Sequence, residues 1–272
     1  MRAYAAAGVD GIGVWEFKLP DGEDARALEQ LEASGLGSAA AVPAIPSILP
    51  LPLMEGPEEP RERVDAICAS LHRLAAFQPS GVVCLTGPGT DRDTVVAALR
   101  TIGEEAERAG VRVGLEPINR VGGEDWTMIS SLPEAVELLE DADRPALGIQ
   151  FDSWHLWSTP DLVSDIERYA DRFVGVHVAD WREPTRGWAD RVLPGDGVAP
   201  LPEILGALEQ AGWAGYYDLE VFSDNGVFGN AWPDSLWDVE TEELARRGKN
   251  AFERVWEARI RTSLDQVSPG AV

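Results

Sequence analysis

Apolar runs of strand length alternate with amphipathic stretches of helix length along the whole chain. GIGVWEF (11–17) is followed by DARALEQLEASG, then by SAAAVPAIPSIL (38–49). RERVDAICASLHRLAAF leads to GVVCLTG (81–87), and DTVVAALRTIGEEAERAG leads to VRVGLEP (111–117). SLPEAVELLEDA precedes ALGIQFD (146–152), and DLVSDIERYADR precedes FVGVHVAD (173–180). LPEILGALEQAG precedes GYYDLEV (215–221), and a helix from about Glu240 to Arg261 closes the pattern. The strands are apolar at consecutive positions, as parallel strands covered by helices are. Asp91 or Asp93 can cap the helix over Val95 to Ala109, with Gly110 ending it. Ser131 with Glu134 fits a capping box, and Pro133 suits the first turn.

Strict β/α alternation over 272 residues predicts one domain, 1–272, of the (β/α)8 barrel type. A doubly wound open sheet is the second choice. Seven strands are visible, not eight. The opening AYAAAGVDGIGV reads as the end of a first helix entering the second strand, so the barrel is expected to lack its first strand.

Four of the apolar segments carry a lone polar residue of the metal-binding kind near their ends: Glu116, Asp152, His177 and Glu220. An unpaired charge at a strand end in an apolar setting costs several kcal/mol unless a cation or partner compensates it. Taken singly, each has an ordinary reading: a cap, a satisfied core histidine, a partner of a surface arginine. Four at successive strand tips point instead to one shared ion, because catalytic groups of a parallel barrel gather at that end. Three carboxylates and one imidazole form a hard, oxygen-rich set that suits Mn²⁺ or Mg²⁺, with Co²⁺ or Zn²⁺ as further candidates.

Composition narrows the partners. A net charge of −24 repels phosphate backbones and anionic lipid, which argues against nucleic acid and membranes. Cys68 and Cys84 sit in apolar contexts, so a reducing compartment without disulfides is expected. With no apolar run near membrane-spanning length and no leader pattern, a cytoplasmic location is expected. Ten tryptophans are many, and Trp15, Trp154, Trp157, Trp181 and Trp188 lie at or just beyond strand ends. Their rings would stack on the apolar faces of a carbohydrate or cyclitol, although core packing explains them equally well.

The segments LEPINR (115–120), FDSWH (151–155), VGVHVADWR (174–182), LPGDGVAPLPEIL (193–205) and YYDLEV (216–221) resemble the xylose isomerase-like barrel superfamily of sugar isomerases and epimerases. Keto-sugar 3-epimerases, hydroxypyruvate isomerase, inosose dehydratase and 3-dehydroshikimate dehydratase are among its members. The resemblance implies that Glu116, Asp152, His177 and Glu220 are metal ligands and that Glu116 and Glu220 also act as acid and base. It further implies that His155 and Arg182 bind substrate, with Trp15 and Trp154 added as aromatic contacts. The implied reaction is isomerisation or epimerisation of a keto-sugar or related polyol through a metal-stabilised enediolate. Dehydration of a cyclitol or keto-polyol uses the same ligands, and a degenerate, non-catalytic barrel is a third reading. The partners expected are a small carbohydrate or cyclitol and a second copy of the chain in a homodimer. EPTRGWADRV (183–192) and SDNGVFGNAWPDSLWD (223–238) match no particular activity.

Overall fold

The computed structural model describes residues 1–52, 54–120 and 126–266, with side chains to 259 in the last helix. A short helix α1 (Arg2–Ala6) leads into strand β1 (Gly11–Trp15), and helix α2 (Asp24–Ser34) connects to β2 (Gly37–Val42). Then come α3 (Pro60–Leu74), β3 (Gly81–Cys84), α4 (Arg92–Ala109), β4 (Val113–Leu115), α5 (Leu132–Ala142) and β5 (Leu147–Asp152). Two helices, α6 (Ser153–Leu156) and α7 (Leu162–Tyr169), precede β6 (Phe173–Val178). A small hairpin of β7 (Asp180–Trp181) and β8 (Arg191–Val192) follows, then α8 (Leu201–Gln210), β9 (Tyr217–Leu219) and α9 (Thr241–Gln266).

Seven strands form one parallel sheet in the order β1-β2-β3-β4-β5-β6-β9, and β7 pairs antiparallel with β8. The sheet curls into a nearly closed barrel with helices around it, as the alternation predicts. All seven predicted strands are present, and among the described residues no eighth joins the barrel sheet. The run 38–49 stays extended only to Val42, because Pro43 and Pro46 cannot donate to a ladder. Asp91 accepts the Thr94 N–H and Ser131 accepts the Glu134 N–H, so both expected caps form. No helix among the described residues is long and apolar enough to cross a membrane.

Glycines let the barrel narrow. Strand β6 carries an extra residue against β5, since Ile149 faces Phe173 while Gln150 faces Gly175. That irregularity leaves Val174 to fill the space above Gly81, Gly114 and Gly148, where any Cβ would collide with it. One layer higher, the Gln150 amide lies against Gly175, and neither of its polar atoms has a hydrogen-bond partner. At the seam between β9 and β1, the Tyr216 ring covers Gly11 and Gly37 and the Asp218 carboxylate meets Gly13. These close approaches bring β9 beside β1 without strand pairing, and Glu220 reaches the same mouth as the other strand tips.

Gly175→Ala is expected to cost about 1–3 kcal/mol, because its methyl would overlap the Gln150 amide. In a Gln150→Ala background the same change should cost less than about 1 kcal/mol. Urea unfolding of the four proteins of this cycle measures the coupling, and equal costs in both backgrounds would contradict the packing described.

Candidate metal centre

Glu116 directly follows β4, Asp152 ends β5, His177 lies one residue from the end of β6, and Glu220 directly follows β9. Strand register places these ends at one level: Asp152 pairs with His177, and Val178 pairs with Leu219. One ligand atom from each of the four residues lies within 4.8 Å of the other three. His177 Nδ1 is 3.6 Å from Glu116 Oε1 and 3.6 Å from Glu220 Oε1. Both His177 Nδ1 and Glu116 Oε1 are buried without a hydrogen-bond partner. Buried polar atoms are nearly always satisfied, so two orphans aimed at one point are what a cation would complete. By donor chemistry and by these orphaned atoms, the four residues fit a hard divalent ion.

The electrostatics follow from burial. Burial pushes the Glu220 carboxyl up to about 7, against the opposing pull of Arg191 and His177. Burial also raises Glu116, with His177 opposing. At His177, burial favours the neutral ring, but Glu220 and Glu116 overcome it and lift its pKa to about 10. His155 is driven down to about 3 by burial, with Arg191 adding to the effect, and is neutral. Its Nδ1 accepts the Asn119 backbone N–H at 3.2 Å. Its Nε2 lies 3.8 Å from Asp152 Oδ2 and 3.3 Å from Arg191 Nη2.

Sequence reasoning missed Arg191. Its Nη1 pairs with Asp152 Oδ2 at 2.7 Å and with Glu220 Oε2 at 2.6 Å. Its guanidinium carbon lies 4.7 Å from the Trp154 ring centroid and 4.9 Å from that of Phe222. This is a buried cation held between aromatic faces while it bridges two of the four cluster residues. Arg191 comes from β8, beside Trp181 of β7. The Asp180 carboxylate fixes that hairpin by accepting N–H groups from Trp181, Gly195, Gly197 and Ala199 at 2.8–3.1 Å. The available signal was an arginine directly before the apolar pair Val192 and Leu193 in ADRVLPG, but a nine-residue loop hides the hairpin that turns it inward.

Two predicted contact residues lie elsewhere than the resemblance implied. Arg182 is directed away from the cluster, with Nε on Asp190 at 2.9 Å and Nη2 on Asp234 at 2.9 Å. These pairs hold Arg182 at the rim and leave Arg191 at the centre. Trp154 is wholly buried, with Arg191 on one side and Trp181 at 4.7 Å, so it presents no face to a ligand. Trp15 does stand at the mouth, edge-on to Phe222 at 5.7 Å. Phe222 meets Trp188 at 5.4 Å, and Trp188 meets Trp126 at 5.1 Å, which extends the aromatic wall. Glu16, just past β1, is buried and spent on the Ala44 N–H and Arg73. His155 remains next to the cluster, its Nε2 3.3 Å from Arg191.

Residues 1–254 match the profile of the xylose isomerase-like TIM barrel family, and the chain belongs to that family. A D-psicose 3-epimerase of Enterocloster bolteae is 28% identical over 168 residues, which is 60% of this chain and 52% of that protein. A 3-dehydroshikimate dehydratase of Pseudomonas putida is 29% identical over 143 residues, 49% of this chain and 21% of that one. The match thus spans about half of the first relative and about a fifth of the second. The crystal structure of the IOLI protein with a bound zinc atom superposes with a TM-score of 0.74 at 18% identity, covering 93% of this chain and 90% of that one. At that identity the likeness shows the fold.

Arg191→Met keeps length and apolar stem but leaves Asp152 and Glu220 without their cation. The metal-free variant is expected to be less stable by about 3–5 kcal/mol in urea unfolding. Unchanged stability would show that the bridge contributes nothing.

Proposed function

We propose that the chain is a divalent-metal-dependent isomerase or epimerase of a keto-sugar or related polyol. The observation that carries this reading is the convergence of Glu116, Asp152, His177 and Glu220 within 4.8 Å, two of them with orphaned donor atoms. The four would hold Mn²⁺ or Mg²⁺, with Co²⁺ and Zn²⁺ as the next candidates. When bound, such an ion supplies Lewis-acid polarisation of a ketone and its neighbouring hydroxyl.

The chain's own residues supply the proton traffic and the orientation. Glu116 and Glu220 reach the cluster from β4 and β9, on two sides of His177, and serve as the acid/base pair. One, ionised, takes up the proton beside the carbonyl, and the other, protonated, delivers its own proton to the opposite face or to the neighbouring carbon. Arg191 holds Glu220 Oε2 and Asp152 Oδ2, so each carboxylate has one oxygen fixed. His155 meets a substrate oxygen, Trp15 offers a ring edge at the mouth, and Trp154 acts through Arg191. Arg182 can meet only the outer end of a substrate. A neutral carbohydrate or cyclitol fits this setting, since the Arg191 guanidinium is already bridged by two carboxylates.

Dehydration is the second reading. It is supported by the similarity to a protein named as a 3-dehydroshikimate dehydratase and by the same carboxylate pair, one of which could protonate a leaving hydroxyl. The intact four-residue cluster speaks against a degenerate barrel.

Incubation with Mn²⁺ and a panel of ketoses and inososes in D₂O tests the proposal. Deuterium should enter beside the carbonyl, and Glu116→Gln and Glu220→Gln should each slow its entry by about 10²–10⁴-fold. An ultraviolet-absorbing enone would identify dehydration instead. Full rates in both variants would refute the carboxylate pair.

A further inference from the structure

The loops 182–190 and 222–238 meet beyond the candidate metal centre and enclose a hollow of about 380 Å³. Arg186, Trp188, Val227, Phe228, Asn230 and Trp232 line it. Trp188 and Phe228 have ring centroids 4.6 Å apart, and Arg186 lies over the Trp232 ring at 4.3 Å. Val227 and Phe228 are 71% and 43% exposed, which is unusual for apolar side chains held in a well-braced loop. The bracing is specific. Asp224 accepts N–H groups from Gly226, Phe228 and Asn230, and the Ser235 hydroxyl meets that of Ser223 at 3.0 Å. Arg186 joins the two loops by pairing with Asp190 at 2.5 Å and Asp234 at 2.7 Å.

We infer that this hollow is a second ring subsite, which takes an uncharged sugar ring attached to the keto-polyol unit that reaches the metal centre. The inference rests on the proposed reading of that centre and extends it to the substrate class: a glycoside or disaccharide with a ketose end. Three observations carry it. The hollow is linked to the centre by a run of touching rings, from Arg191 to Phe222, Phe222 to Trp188 and Trp188 to Phe228. Its volume falls within the range of small-ligand pockets, about 300–1,000 Å³, and its walls offer ring faces suited to the apolar side of a pyranose. Its cation, Arg186, shares Asp190 and Asp234 with Arg182, two charges of each sign, which disfavours an anionic occupant such as a sugar phosphate. Asn230 gives its amide nitrogen to Asp224 at 2.8 Å and keeps an amide oxygen able to accept a hydroxyl.

The test compares binding of D-fructose with that of lactulose and isomaltulose, ketoses that carry an additional pyranose. Affinities are measured by calorimetry on Mn²⁺-loaded protein, with Mn²⁺ binding followed separately by electron paramagnetic resonance. The disaccharides should bind at least tenfold more tightly than fructose. Trp232→Ala should remove that advantage, and Trp232→Phe, which restores a ring, should recover most of it. If Mn²⁺ and fructose bind but the second ring adds nothing, or if Trp232→Ala retains the full advantage, the subsite is refuted while the metal centre stands. If Mn²⁺ does not bind, both readings fail. A dimer that forms through Val227 and Phe228 and is not dispersed by disaccharide would assign the hollow to a second copy of the chain and overturn the proposal.

Discussion

Three carboxylates and an imidazole sit together in the nearly dry mouth of the barrel, and this charge must be compensated. Against the three, Arg191 supplies one positive charge, paired with Asp152 and Glu220. In the absence of an ion, a protonated His177 supplies a second, which explains why its pKa is held near 10. With all three carboxyls ionised one negative charge still remains, and burial opposes it by lifting Glu220 to about 7. With a divalent ion and a neutral His177, the four side chains, the ion and Arg191 sum to zero. Desolvated charge is tolerated only when it is paired and hydrogen-bonded, so this balance constrains every surrounding element.

The barrel serves that constraint by its register. Asp152 opposite His177, with Glu116 and Glu220 each one residue past a strand, puts the four tips at one height. Reaching that height from β9 requires the sheet to curl tightly enough to bring the seventh strand beside the first. Glycines at 11, 13 and 37 permit it, because Tyr216 and Asp218 occupy the space their side chains would need. Arg191 depends on a longer chain of causes. Asp180 gathers four backbone N–H groups, the short hairpin forms, and the guanidinium slides between Trp154 and Phe222.

The four cluster residues were legible in the sequence because each interrupts an apolar run at the same point of a β/α unit. Period and placement carried that information locally. Arg191 was not legible, since its inward course depends on a hairpin whose strands are two residues long and separated by the 182–190 loop. Arg182 looked the better candidate because it follows His177 closely, yet proximity in sequence says little once Asp190 and Asp234 compete for a guanidinium. Trp154 and Trp15 show the same limit for aromatics. Both lie at strand ends, but α6 turns the first into the core while the second remains at the mouth. The outer loops carry the least periodic signal, and in them the shape of the pocket is decided.

The central claim is that these four side chains form one site for one divalent ion. Equilibrium dialysis of the chelator-stripped protein against Mn²⁺ tests it most directly. The account predicts one tightly held ion per chain, with affinity reduced at least a hundredfold in both His177→Ala and Asp152→Asn. No retained ion, or an ion held equally well by both variants, would contradict it.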